Sequence, residues 1–388
     1  MKERKIAILV DTSTGWGRRT IRGVFDCAAE RGPWDIWIEP KGRDEPIHVP
    51  NGSFDGFVAR IASEELAQQL TDSKVPTVNI SSLELGGCPF PRVNVDTPVA
   101  VQLAEAHFRE RAFRNFAYVG PIAKSFVYRH EQAFEQQLAK SGTTCHSFQP
   151  EEGADVTFPW PASDPRLIPW LKALPKPVGI YTWGYQIGRD LISACRTIDI
   201  PIPHDVAILG GDFDDLLCDA CHPALSGVVT PARKIGYEAA SILDDMMNGK
   251  PPPKETVFIA PEEIAERLST DTLAIDDPQI LKALTYLRNH ACEDIHVEDI
   301  LKQVPMARRA LERRFMQHIG RNPAQEIRRI RIDKARRLLT KTSLSMQEIA
   351  EACGYASYTY LGNVFKRETG ISPGKYRNQN RSRTPVSL

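Results

Sequence analysis

A two-lobed α/β part followed by an all-α part is the architecture the sequence predicts, and three observations carry it. Over residues 1–270, short apolar runs alternate with amphipathic helical patterns, the signature of βαβ units and parallel sheets. From Pro278 the pattern turns helical almost without interruption. The charge divides at the same place. The chain carries 49 Lys+Arg and 49 Asp+Glu, but the part from Pro278 holds 21 against 10, leaving +11 there and −11 in residues 1–277. A chain of 388 residues, 42% of them hydrophobic, is long enough for two or three domains with their own cores.

The strands come first. Lys5–Val10, Asp35–Ile38, Phe57–Ile61, Thr77–Ile80, Asn115–Val119, Val178–Tyr181 and Val206–Leu209 are short, and several are nearly all apolar, as strands covered on both faces must be. Between them the spacing predicts helices over Trp16–Glu30, Pro98–Arg111, Arg129–Ser141, Gly188–Ile198 and Lys234–Met247. The apolar run after Met1–Lys5 is too short for a signal peptide, and no run reaches the ~18 apolar residues of a membrane helix. A cytoplasmic protein with no membrane attachment is expected, and its eight scattered cysteines read as reduced thiols.

Ligands of parallel sheets bind beyond the carboxyl ends of the strands. The residues just after those ends are therefore candidates: Asp11, Thr12, Ser13, Asn94, Asp96, Trp183, Tyr185 and Asp212. The same residue types also serve ordinary loop and helix-cap chemistry. A linker is expected near Thr272–Pro278. It separates a domain over 1–272 from one over 278–380, with a basic disordered tail over 381–388.

The C-terminal part contains two helices suited to a DNA major groove, fifty positions apart. The first, Ala307–Phe315, follows a short helix at Val297–Leu301 and a turn ending at Pro305. Leu311 and Phe315 anchor it, leaving Arg308, Arg309, Glu312 and Arg313 outward. An Arg can bond both acceptors of guanine, and a Glu can accept from cytosine. A long helix, Pro323–Lys341, follows, and its Arg328, Arg329, Arg331, Arg336 and Arg337 are expected to face phosphates. The second unit opens with the capping box Ser345…Glu348, and Gly354 ends its first helix. The second reading helix, Ser357–Lys366, offers Tyr358, Thr359, Asn363 and Lys366.

Residues 280–377 resemble the AraC/XylS family of transcription regulators. The likeness rests on Leu311-Glu312-Arg313-Arg314-Phe315, Gly320, Pro323, Ala335-Arg336-Arg337-Leu338-Leu339, Ile349-Ala350, Cys353-Gly354-Tyr355, Phe365-Lys366, Gly370, Ser372-Pro373 and Tyr376-Arg377. The resemblance implies two helix-turn-helix units joined by one helix, usually on direct-repeat sites. It places base readers at Arg309, Glu312, Arg313, Tyr358, Thr359 and Asn363. Ala307 stands where a Ser cap is common, Leu361 where a Phe is usual, and Gly362-Asn363 where a Ser-Arg pair often meets DNA. A weaker second reader is the expectation.

Residues 4–270 look like the LacI-type, periplasmic-binding-protein-like sugar-sensing domain, most clearly at Val206–Asp215 and Asn94-Val95-Asp96. That domain order resembles the bacterial xylose operon regulators. It implies a dimeric activator of pentose catabolism that engages RNA polymerase and is controlled by a small sugar bound between two lobes. Asp11, Trp16, Asp96, Phe126, Arg129, Trp183, Tyr185 and Asp212 are the implied contacts. Carboxylates suit sugar hydroxyls, and rings suit the C–H face. The family usually has an Asp at Tyr185 and an Arg at His130.

Cys218-Asp219-Ala220-Cys221-His222 spells a c-type haem attachment pattern, but that chemistry needs export and no export signal is present. Plain thiols are one reading of the pair, and a redox- or metal-responsive regulator is the other. No cofactor and no metal site is expected. The sequence contains no glycine-rich phosphate loop, nucleophile elbow or paired metal motif, so no enzyme is expected.

Overall fold

The computed structural model describes residues 3–42, 45–83, 85–120, 125–148, 165–261, 263–275 and 277–380. Its two compact units are residues 1–274 and 275–388. The predicted tail 381–388 lies outside the described residues.

The first unit opens with β1 (Arg4–Leu9), α1 (Gly15–Arg31), β2 (Trp34–Ile38), β3 (Gly56–Ala59), α2 (Glu64–Ser73), β4 (Thr77–Asn79) and β5 (Val93–Val95). It continues through α3 (Thr97–Glu110), β6 (Asn115–Val119), α4 (Ser125–Ala139), β7 (Cys145–Ser147), α5 (Leu167–Ala173), β8 (Val178–Thr182), α6 (Tyr185–Thr197) and β9 (Val206–Gly210). It ends with α7 (Asp215–Asp219), β10 (Ser226–Val228), α8 (Ala232–Met247), β11 (Val257–Ile259), β12 (Ile264–Ala265) and a 3-10 turn at Leu268–Thr270.

These strands form two lobes. One parallel sheet runs β2-β1-β3-β4, with β5 and β11 as a parallel pair beside it. The other runs β12-β10-β9-β8-β6-β7 and is parallel except where β12 meets β10. Central strands β3, β8 and β9 are buried at every residue, as their unbroken apolar runs require. Each Val or Ile so buried contributes roughly 1.5–3 kcal/mol relative to exposure.

The chain leaves the first lobe after β5 and returns for α8 and β11. Ile235, Ala239, Ala240 and Leu243 of α8 join Ile6, Ile8, Val24, Val58 and Val78 in the first lobe's core. Two glycines allow α1 and α8 to pack closely. A Cβ on Gly23 would stand 1.8 Å from Arg233 O, and one on Gly236 2.0 Å from Thr20 O. Either substitution would push the helices apart.

The second unit is helical among its described residues: α9 (Pro278–His290), α10 (Val297–Gln303), α11 (Arg308–Ile319), α12 (Pro323–Lys341), α13 (Met346–Ala352), α14 (Tyr358–Thr369) and α15 (Pro373–Asn380). Leu311 and Phe315 of α11 are fully buried, as are Leu284, Leu287 and Ile300. A second core joins Ile332, Ala335 and Leu339 of α12 to Ile349, Leu361 and Phe365.

Candidate functional site

In the first unit, a cavity of about 570 Å³ lies where the strand ends of both lobes converge. Asp11 and Arg60 follow β1 and β3, Ser81 follows β4, and Trp183 and Asp212 follow β8 and β9. The central parallel strands of both sheets direct their carboxyl ends toward this space, so their loops meet there.

The first lobe contributes an ion pair. Asp11, only 2% exposed, accepts from Arg60, whose guanidinium also lies 5.9 Å over the Trp16 ring. The pair therefore presents a fixed carboxylate beside an aromatic face. In the second lobe Asp212 accepts the Tyr185 backbone N–H at 2.6 Å, which caps α6 from a different strand's loop. The predicted start of that helix at Gly188 therefore moves back to Tyr185. Across the lobes, buried Asp214 accepts from Gly15 N–H at 2.7 Å and from Leu217 N–H at 3.2 Å. Arg19 of α1 donates to the Phe213 carbonyl at 2.7 Å. These bonds fix the depth of the cleft.

His130 lines the cavity within a buried aromatic cluster. Its Nδ1 lies 2.9 Å from the Tyr118 hydroxyl and its Nε2 3.3 Å from that of Tyr181. A neutral imidazole can donate to one and accept from the other. Burial pushes its pKa down to about 4, so no cation stands where the family usually has one.

Asp11, Trp16, Arg129, Trp183, Tyr185 and Asp212 thus surround one cavity. Asp96 does not line it. Its carboxylate accepts from Val99 N–H at 3.2 Å as the N-cap of α3, while Asn94 lines the space. The Tyr185 ring packs into the second lobe's core, so the expected acidic contact there is replaced by apolar bulk. The side chain of Phe126 lies outside the described residues. Sequence reasoning missed Arg60 and Asp214. Arg60 fell inside the expected strand Phe57–Ile61, whereas the observed strand ends at Ala59 and leaves Arg60 just beyond it.

In the helical unit, α10 and α11 form one turn-linked pair and α13 and α14 the other. Gly354, at φ 74°, makes the second turn, and a Cβ there would stand 2.6 Å from Cys292 O. Ser345 and Glu348 form the expected capping box, and Ser357 caps α14. Ala307 begins α11 without a side-chain cap.

Arg309, Glu312, Arg313 and Met316 fall at i, i+3, i+4 and i+7 of α11, one outward stripe. Arg309 and Arg313 are exposed and make no ion pair among the described residues. Met316, 48% exposed, extends the stripe and was not foreseen. Arg308 is exposed as well. It reaches Glu298 at 2.6 Å and Glu312 at 3.0 Å, bridging α10 to α11. On α14, Tyr358, Thr359, Asn363 and Lys366 are exposed, and so is unforeseen Tyr360.

The arginines of α12 do not form one phosphate face. Arg329 bonds buried Glu326 and Asp333, and Arg336 lies near Asp333. Arg331 donates to the carbonyls of Ala291 and Glu293 and stacks on Tyr355. Successive positions turn about 100°, so this series winds around the helix rather than along it.

Cys218 is fully buried and Cys221 nearly so, with Cys221 Sγ 3.3 Å from the Leu217 carbonyl. Burial pushes the Cys218 thiol up to about 12, far from reactive thiolate chemistry. Plain thiols describe the pair.

Comparison with known proteins agrees with both parts. Residues 106–270 match a periplasmic binding protein-like domain, and residues 300–379 match a helix-turn-helix domain. The xylose operon regulatory protein of Escherichia coli K12 is 31% identical over 386 residues, 98% of each chain. Its Haemophilus influenzae counterpart is 29% identical, covering 96% of this chain and 98% of that one. A solved xylose-binding transcription activator is 30% identical, with a TM-score of 0.61 over 98% of this chain and 100% of that one. A sensor-like cleft and two turn-linked helix pairs, in the same order as these relatives along nearly the full length, make the chain a DNA-binding transcription regulator that belongs to the family of xylose operon regulatory proteins.

Proposed function

We propose that this chain activates sugar-catabolism genes in response to a small neutral carbohydrate, xylose or a close relative, bound between the lobes of its first unit. The observation that carries this is the cavity at the strand ends, with a fixed carboxylate, two indoles and a neutral imidazole. Carboxylates accept from ring hydroxyls and indoles cover the C–H face, while His130, held neutral between Tyr118 and Tyr181, adds no charge to the wall. Asp11, Trp16, Arg129, Trp183 and Asp212 are the proposed contacts, with Asn94 in place of Asp96 and with Tyr185 shaping the wall. Arg309, Glu312, Arg313, Tyr358, Thr359, Asn363 and Lys366 are proposed to meet DNA, as a homodimer on a direct-repeat operator beside RNA polymerase, in the cytoplasm. No described helix is long and apolar enough to cross a membrane.

The test is a thermal-shift screen of the full chain against pentoses, hexoses and uronic acids. A ligand that binds only the folded state stabilises it by about 2.7 kcal/mol at a hundred times its Kd. A rise with a neutral sugar supports the reading. A rise with uronic acids alone refutes the neutral-ligand reading, and no rise with any sugar refutes the sensor reading.

A further inference from the structure

One residue of α14 has no internal reason to be what it is. Gly362 lies in the middle of that helix without a positive φ, and a Cβ built on it would meet no heavy atom within 4 Å beyond its chain neighbours and the backbone of its own helix. Glycine is among the poorest helix formers, so alanine there would strengthen α14. Neither usual excuse applies. No positive φ requires a glycine, and no neighbouring backbone crowds it as Arg233 and Thr20 crowd Gly23 and Gly236.

Its place on the helix supplies a reason from outside the chain. Leu361, Val364 and Phe365 are buried, while Thr359, Asn363 and Lys366 are exposed on the opposite side. At about 100° per residue, Gly362 falls on the flank between them, with Tyr358 and Lys366 one turn before and after it and Thr359 beside it. A helix with side chains is about 10–12 Å across, and the major groove is about 12 Å wide. In so close a fit the flank residues decide how deep the helix sinks. The two reading helices differ on this point. α11 presents long arms, Arg309 and Arg313, and its sequence contains no glycine; α14 presents the long Tyr358 and Lys366 one turn before and after Gly362, and the short Thr359 and Asn363 at its level. Short arms reach base edges only from a deeply seated helix.

We propose that Gly362 is the seating residue of the second reading helix: its missing side chain lets that flank lie against the sugar–phosphate wall of the groove, so that Thr359 and Asn363 reach the bases. The proposal rests on the reading of α14 as a DNA-contacting helix, and the test separates the two.

The full-length wild type, Gly362→Ala and Asn363→Ala are titrated with a duplex that the wild-type chain selects from a random library. Hydrogen exchange of the α14 amides is followed in parallel. Expected for Gly362→Ala are about fourfold slower α14 exchange, from the better helix former, and about tenfold weaker binding, on the scale of one lost base-pair contact. Weak binding by Asn363→Ala with wild-type binding by Gly362→Ala would overturn the seating role and keep the DNA reading. Wild-type binding by both would overturn both. Faster α14 exchange in Gly362→Ala would reveal a packing role and also overturn the proposal.

Discussion

Glu326 is the most consequential charge in the helical unit, and replacing it by Gln tests how that unit is held. The side chain is fully buried in the first turn of α12. Arg329 donates to both of its oxygens at 2.9 Å, and Arg321 Nε lies 2.7 Å away. Burial alone would raise its pKa. The Arg329 bonds and the charges of Arg329, Arg321 and Arg288 outweigh burial and hold it below the ordinary 4.5. Breaking a buried pair by removing one partner typically costs about 3–5 kcal/mol. Gln keeps one acceptor, Arg329 keeps Asp333 at 2.8 Å, and both arginines are a fifth to a quarter exposed. The expected loss for Glu326→Gln is therefore smaller, about 2–3 kcal/mol. In the full chain, hydrogen exchange of the α12 amides should be roughly 30–150 times faster, with α1 amides unchanged as the internal control.

The pH dependence follows from the sign of the shift. A carboxyl depressed in the folded state contributes stability above its unfolded value, and that contribution fades as pH falls through the folded value. The gap between wild type and Glu326→Gln should therefore be full near neutrality and shrink below about pH 4.5. An exchange ratio under about threefold near neutrality, or one that persists undiminished to pH 3, would refute this account.

Three other substitutions separate the roles assigned to individual side chains. Arg309→Ala should weaken specific binding by about 1–3 kcal/mol and relax preference at one base position in a selection experiment; unchanged binding would remove α11 from the groove. Arg331→Met should destabilise the helical unit by about 1–3 kcal/mol, since the Ala291 and Glu293 carbonyls lose their donor. It should leave the salt dependence of DNA binding unchanged, and a slope reduced by about 1 would make Arg331 a phosphate contact after all. Asp212→Asn keeps an oxygen for the Tyr185 N–H, so the fold and basal DNA binding should survive while the sugar-induced thermal shift disappears; a retained shift would exclude Asp212 from the site.

The sequence by itself determined the order of the two parts, the principal strands and the two turn-linked helix pairs. Those features are written in short-range pattern. Unbroken apolar runs such as Val206–Gly210 need a sheet covered on both faces, and Ser345…Glu348 closes its own helix end within one turn. The strands at Val93–Val95, Cys145–Ser147, Ser226–Val228, Val257–Ile259 and Ile264–Ala265 were not legible. Two or three residues hold no periodicity, and only pairing with a distant strand defines them. The same distinction governs the sites. Strand-end position pointed to Asp11, Trp183 and Asp212, but only the tertiary structure decided that Asp96 caps a helix, that Tyr185 joins the core and that Arg60 belongs beside Asp11. It likewise turned Arg331 inward to carbonyls forty positions away and gave Arg308 to Glu298. Whether a polar group faces ligand, nucleic acid or its own chain depends on which partner arrives at hydrogen-bond distance, and that partner comes from elsewhere in the fold.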